Sequence, residues 1–448
     1  MEDRTQQLSG PGAGADPNRT VIAGGAGVDP NRTAMTGSGS ALEALIAPGN
    51  RYALASGASR EHLLLMLRAS GNTLGRRMPL NLSLVIDRSG SMEGEPLDYL
   101  KRACGYVVDL LEPSDILSIV TFEEQVEVVM PARRVVNKAL IKEHIARIKS
   151  GNTTNLYDGL ITGCMQVAGV AAAGYLNRVL LLTDGEPTAG IKDFSTIVQQ
   201  VAQQRQAGIS VTALGFGSDY NEELMAGIAR RSGGNYYYIT QPSLIPEVFR
   251  QELESLMTIT ARNVRVRMTF PRGVRCRYIY GTASPAFGAR SVEYALADIE
   301  RGNAVASLSE WEFDSHIPGV YRFAKVEVSY DDVVTGRSEA LPADAVIEFT
   351  ADRRLIDTHR DPVVQRELEV HLASRNLEKT MMGMRTQQLT AVGAIQELER
   401  TRAILASAGR SDQAQEVTQA MDALRHGGEA DKTLIGTIYG LDQGKRKE

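Results

Sequence analysis

The sequence predicts an α/β protein: a doubly wound, mostly parallel six-stranded sheet, flanked by a β-sandwich domain and followed by a C-terminal helical region. Three observations carry that prediction. From Pro79 to about Thr258, short apolar runs alternate with amphipathic stretches of helical spacing. The runs LVID and VLLLTD are continuous rather than alternating, as strands covered by helices on both faces require. Residues 261–350 then change to a period of two, in NVRVRMTF, VRCRYIYG, YRFAKVEVSY and DAVIEFT, which is antiparallel text.

Composition bounds the function. The 448 residues carry Lys+Arg 49 against Asp+Glu 54, a net charge of −5, with the signs mixed along the chain. A broad basic face for nucleic acid is therefore excluded. With 43% hydrophobic and 23% charged residues the bulk is that of an ordinary globular protein. Cys104, Cys164 and Cys276 lie far apart with no CxxC pair, which removes zinc-ribbon and thioredoxin readings; all three read as buried small hydrophobes in a reducing compartment. The opening text MEDRTQQLSGPGAGADPNRT has no apolar leader core, and no stretch approaches the roughly 18 apolar residues of a membrane span. The expectation is a cytoplasmic protein.

Taken in order, residues 1–40 hold few large apolar side chains and read as a disordered tail containing the repeat ADPNRTVIAGG and VDPNRTAMTGS. Residues 41–78 include HLLLMLRAS (62–70), a buried strand that needs a partner sheet and is assigned to a composite β-domain. The α/β domain covers 79–258, with strands at 81–87, 116–122, 126–130, 178–184, 209–215 and 235–239 and helices near 95–112, 137–149, 155–173, 194–207, 221–232 and 244–257. The sandwich occupies 259–350. Asp361-Pro362, an N-cap followed by Pro at the first helical position, opens a helical hairpin or short bundle over 361–426 with one break near Gly409 to Asp412. Residues 427–448 read as a flexible tail.

The chemistry sits at strand ends. In VIDRSGSM a strand terminates at Asp87, and the following loop supplies Ser89 and Ser91 at alternate positions, so that one carboxylate and two hydroxyls converge. A second oxygen-rich loop, GNTTN, offers Thr153 or Thr154, and TDGEPT offers Asp184. Loops beyond the carboxyl ends of neighbouring parallel strands meet at one crevice. Such an oxygen-only set suits Mg²⁺ or Mn²⁺. A simple capping turn also uses Asp and Ser, but three oxygen-bearing loops in the right order outweigh it.

These motifs resemble the metal-ion-dependent adhesion site of a von Willebrand factor A domain: Asp-x-Ser-x-Ser, then a Thr, then an Asp. The resemblance covers 79–258, includes ALGFGSDYNEELMAGIARRSGGNYYYI, and is nearest to bacterial and inter-alpha-trypsin-inhibitor-like members. It implies that Asp87, Ser89 and Ser91 are the first ligands, Thr154 the threonine and Asp184 the last ligand, acting through water. It also implies a non-enzymatic, metal-dependent protein-binding module in which an Asp or Glu of the partner completes the coordination sphere. Glu93, Glu95 and Glu186, the spare acids beside these loops, are expected to face solvent, and Met92 and Pro187 to form an apolar rim. The alternative is an adaptor subunit of an AAA+ ATPase machine of the chelatase kind; no GxxxxGK[ST] motif occurs in this chain. Finally, Thr20 and Thr33 in the repeated DPNRT phrase, and Thr433 in a looser copy, are candidate phosphorylation sites for a Ser/Thr kinase, read by a forkhead-associated domain protein.

Overall fold

A computed structural model describes residues 33–36, 41–69, 77–170, 174–281 and 285–447. Its central sheet has six strands in the spatial order Tyr236–Ile239, Ile209–Asp219, Leu176–Gly185, Leu80–Asp87, Ile116–Phe122, Val126–Arg134. All neighbours are parallel except the last pair. Every residue of Leu80–Asp87 is buried, because helices cover both faces. On one face Leu82, Leu84 and Ile86 pack under Glu95–Leu110 and Ile245–Thr258. On the other, Val85, Val179 and Val211 pack under Leu156–Gly169, Phe194–Gln206 and Glu222–Ser232. Gly163 permits the first of these approaches, since a Cβ there would lie 2.2 Å from Val85.

Two further sheets form a sandwich. In one, Ser59–Ala69 runs antiparallel along Asn303–Phe313 with Leu64 opposite Leu308, while Leu42–Pro48 lies on its other side and Thr33–Thr36 at the edge. In the second, Ile259–Thr269 lies between Ser291–Ala295 and Gly319–Asp332, followed by Ser338–Thr350 and the short strand Tyr52–Leu54. Leu63, Leu65, Trp311 and Phe313 from the first sheet meet Val266, Phe323, Val326 and Ile347 from the second in one core. The chain thus leaves the sandwich after Ala69, builds the α/β layer, and returns at Ile259.

The C-terminal region differs from its sequence reading in two places. Helices span Pro362–Arg385, Ala391–Ser407 and Ser411–Arg425, after a short turn of helix at Arg353–Thr358. The break at 386–390 was not legible: Gln387 takes φ 57° and Thr390 caps the next helix by accepting from the Gly393 amide. More consequentially, 427–448 is not a flexible tail. Asp431–Asp442 is a helix whose Leu434, Ile438 and Leu441 enter the helical core, while Ile435 and Tyr439 enter that of the α/β layer. Gly436 and Gly440 give this text the look of a loop. The helix is held by its packing instead, and Gly436 faces the Tyr236 ring at ordinary contact distance. Lys445–Lys447 then pairs with Asn303–Phe313.

The tail threonines stand differently in consequence. Thr433 lies within this helix, and its carbonyl accepts from Thr437 Oγ1. Thr33 begins an edge strand with its backbone opposite Ile46, so the disordered reading of 1–40 does not hold for 33–36. Thr20 lies outside the described residues. Of the cysteines, Cys104 and Cys164 are buried as read, and Cys276 is partly exposed.

Candidate functional site

At the carboxyl edge of the central sheet three loops are laced together by backbone hydrogen bonds. Gly151 N donates to Arg88 O at 2.6 Å and Gly90 N to Asn152 O at 3.2 Å, tying the first loop to the second. Thr188 N and Ala189 N donate to Thr154 O at 3.0 and 3.2 Å, and Thr154 N donates to Thr188 Oγ1 at 2.9 Å, tying the second to the third. Asn155 caps the helix Leu156–Gly169, and Glu123 accepts from the Asn152 amide while facing Arg88 at 3.4 Å. These hydrogen bonds hold the three loops in register with one another.

Within this frame the hydroxyls and one carboxylate converge. Ser89 Oγ and Ser91 Oγ are 3.1 Å apart, Ser91 Oγ donates to Asp184 Oδ1 at 2.8 Å, and Ser89 Oγ stands 3.5 Å from the same oxygen. Oxygens about 2.1 Å from an octahedral Mg²⁺ at right angles are about 3 Å apart. The triangle therefore has the size of one face of such a coordination shell, and the donor set fits a hard cation. Thr154 lines the same crevice, with its Oγ1 lying 3.5 Å from where a Cβ on Gly185 would be. Thr153 lines it too, and its Oγ1 is buried without a hydrogen-bond partner among the described residues.

Asp87 sits behind this triangle. It is fully buried; its Oδ2 accepts from Thr183 Oγ1 at 2.5 Å and its Oδ1 from Ser89 N at 2.8 Å. Burial lifts its carboxyl to about 6 despite those bonds, with the Asp184 charge adding to the lift. A cation beside Asp87 would favour its ionised form. Thr183 and Thr188 were missed as supporting residues, although both stand inside the TDGEPT text. Contrary to expectation, Met92 forms no rim: it is wholly buried in the core beneath the loop, because the 3-10 turn Gly90–Met92 directs it inward. Glu93, Glu95 and Glu186 are exposed.

The crevice, about 1150 Å³, has a second wall that local sequence could not announce. Met384, Arg385 and the segment Gly428–Lys432 of the helical region face the three loops across it. Arg385 pairs with Glu222 at 3.0 Å, Asp431 at 2.5 Å and Glu223, and Lys432 Nζ reaches Glu222 at 3.1 Å and the Tyr220 carbonyl at 3.2 Å. Among the described residues no helix is long and apolar enough to cross a membrane.

Residues 81–251 match the family of the von Willebrand factor type A domain. The uncharacterised protein sll0103 of Synechocystis is 30% identical over 292 residues, covering 63% of this chain and 69% of that protein. The chain belongs to the von Willebrand factor type A domain family. The uncharacterised Escherichia coli protein YfbK is 32% identical over 192 residues, covering 42% of this chain and 33% of YfbK. Mouse inter-alpha-trypsin inhibitor heavy chain H2 is 28% identical over 213 residues, covering 42% of this chain and 22% of H2, so the match spans a minor part of either of these two relatives. A von Willebrand factor type A protein from Catenulispora acidiphila has the same fold, with a TM-score of 0.73 at 17% identity over 90% of this chain and 97% of that one. So has the ArnB paralog VWA2 from Sulfolobus acidocaldarius, at 0.64 and 16% over 90% and 98%. Domains of this family are generally metal-dependent protein–protein interaction modules and mostly not enzymes.

Proposed function

We propose that Asp87, Ser89, Ser91, Thr154 and Asp184 hold a Mg²⁺ or Mn²⁺ ion, and that the protein uses it to bind an acidic side chain of a protein partner. The observation that carries this reading is the oxygen triangle of Ser89, Ser91 and Asp184 at the mouth of the crevice. The cation supplies a coordination position that a carboxylate can fill. The protein's residues do the rest: Asp87 balances charge from behind, the laced loops hold the hydroxyls in place, and the crevice admits a side chain between two walls. The spare acids Glu93, Glu95 and Glu186 are solvent-exposed and supply no positioned base, which supports binding over hydrolysis. In this reading the protein is a cytoplasmic scaffold for signalling or assembly, with Thr20 and Thr33 as kinase substrates that a forkhead-associated partner reads.

Calorimetric titration of Mn²⁺ into the full chain tests the site. Binding should saturate at one equivalent, fall most in Asp87→Ala and less in Ser89→Ala; wild-type affinity in Asp87→Ala would sink the assignment. A partner captured in Mg²⁺ must be released by EDTA.

A further inference from the structure

A second cleft, of about 520 Å³, opens where the α/β layer meets the sandwich, and its charged lining is five arginines against Glu293 and Glu327. Arg205 stands in the last turn of Phe194–Gln206, Arg230 and Arg231 in the last turn of Glu222–Ser232. Basic residues at these positions complement the helix dipole, which explains them without a ligand. Arg265 and Arg267 come instead from the strand Ile259–Thr269, where no such reason applies.

The strand is built irregularly to present Arg265. From Arg262 to Arg265 it advances three residues while its neighbour advances two, from Asp331 to Ser329. Asn263 takes φ 53° at this bulge, a left-handed conformation that Asn tolerates better than most residues. In a regular strand, residues three apart face opposite sides. Here Ala261 and Val264 are both buried, and Arg265 emerges exposed over the cleft. A bulge shifts which residues of a strand face outward, and bulges are common beside binding and active sites.

Two arginines on the same face then differ in their company. Arg267 lies opposite Glu293 on one neighbouring strand and Glu327 on the other, and contacts Glu293 at 3.1 Å. Arg265 lies opposite Ala295 and Ser329, so neither cross-strand neighbour is acidic. Across the cleft, the Arg205 guanidinium rests on Gly233, where an added Cβ would stand 3.0 Å from its Cζ. Burial, and to a lesser degree the charge of Arg265, hold Arg205 below the ordinary arginine pKa; Asp298 opposes this, but it is shared with Arg178 at 3.6 Å. Like charges kept together at partial burial favour an anion between them.

We propose that this cleft binds a phosphoryl anion, gripped by the planar guanidinium forks of Arg205 and Arg265 with Ser329 beside them. Guanidinium matches phosphate oxygens in pairs, which ammonium does not. The phosphoryl group can come from a small inorganic or nucleotide anion or from a phosphorylated side chain, and the test separates these sources. Inorganic pyrophosphate is titrated calorimetrically at low ionic strength into the full chain and into Arg205→Gln, Arg265→Gln and Arg267→Gln. In a parallel arm the ligand is the peptide ADPNRTVIAGG, with and without phosphate on its threonine. Arg205→Gln and Arg265→Gln should each weaken binding by about tenfold or more, as loss of a charge-assisted contact does, and the paired Arg267→Gln by less than about twofold. That pattern with pyrophosphate alone identifies a small anion, and with the phosphorylated peptide a protein-borne phosphate. Wild-type affinity in Arg265→Gln, equal losses in Arg265→Gln and Arg267→Gln, or no binding of either probe at millimolar concentration would overturn the proposal. Arg265 is exposed, so its variant should unfold at the wild-type denaturant midpoint, and this control separates loss of the site from loss of the fold.

Discussion

The two crevices of this molecule are built by different means. The oxygen crevice takes its candidate ligands from strand ends and the loops just after them, and ties those loops together by backbone hydrogen bonds. The arginine cleft takes its residues from the ends of two helices and the outward face of a strand in another module. The candidate ligands of the first all belong to the α/β layer, with the helical region supplying only the facing wall, whereas the second exists only while the layer and the sandwich stay docked. A site whose ligands all belong to one module should survive disturbance of the module contacts; a site shared between modules should not.

The largest expected effect loosens the last helix from the α/β layer. Tyr439 is buried, donates to Gly234 O at 2.6 Å, meets the Tyr236 ring edge-on at 5.9 Å, and lies under Arg230. Tyr439→Ala should cost about 3 kcal/mol or more of stability, the scale of an aromatic truncation in a core, read as a lowered urea midpoint. Its helix carries Lys432 at one end and Asp442, the 3.0 Å partner of Arg230, at the other. Mn²⁺ affinity should stay within about threefold of wild type, because truncations beyond direct contact leave preorganised ligands in place. A parallel collapse of Mn²⁺ binding would mean that the oxygen crevice also depends on the helical region.

The next effect is local and should spare the second cleft. Asp184→Asn keeps the shape of the triangle and removes one of two negative charges near it. Mn²⁺ affinity should fall by about a hundredfold, roughly the value of a hydrogen bond or ligand contact to a charged group, with pyrophosphate affinity unchanged. Thr183→Val is smaller. It removes the 2.5 Å bond to Asp87 Oδ2, which favours the ionised carboxylate, and should weaken Mn²⁺ by about tenfold. If it does nothing, Asp87 is not the charge behind the site.

The same contrast explains what could be read from the chain. LVID and VLLLTD are apolar runs that stop at a carboxylate, so the parallel strands and the strand-end oxygens are written in consecutive residues. Thr188, Arg385 and Lys432 act through neighbours brought by folding, and nothing in their own surroundings marks them. The last helix hid behind Gly436 and Gly440, residues that lower helix propensity, while what holds it is the burial of Leu434, Ile438 and Leu441 on one side and Ile435 and Tyr439 on the other. The break before Thr390 turned on the backbone angle of Gln387. At Asn263 the alternation slips by one residue, Ala261 and Val264 both turning inward. The pattern ARNVRVRM contains that slip, but its meaning needs the partner strand.

The smallest effect tests the difference between Arg265 and Arg267 directly. Arg267 has glutamates on both neighbouring strands, and Ser329 occupies for Arg265 the place that Glu327 occupies for Arg267. Ser329→Glu should therefore give Arg265 the company that Arg267 already has. An opposite-charge pair across antiparallel strands is worth about 0.2–1 kcal/mol, so the urea midpoint should rise slightly or hold. The same carboxylate would compete with any anion for Arg265, and pyrophosphate affinity should drop about tenfold. Stability and anion binding thus move in opposite directions, which a packing defect cannot produce, since a defect lowers both. If Ser329→Glu lowers the midpoint and leaves pyrophosphate affinity intact, Arg265 is a surface charge with no ligand of its own, and the bulge at Asn263 serves only the sandwich.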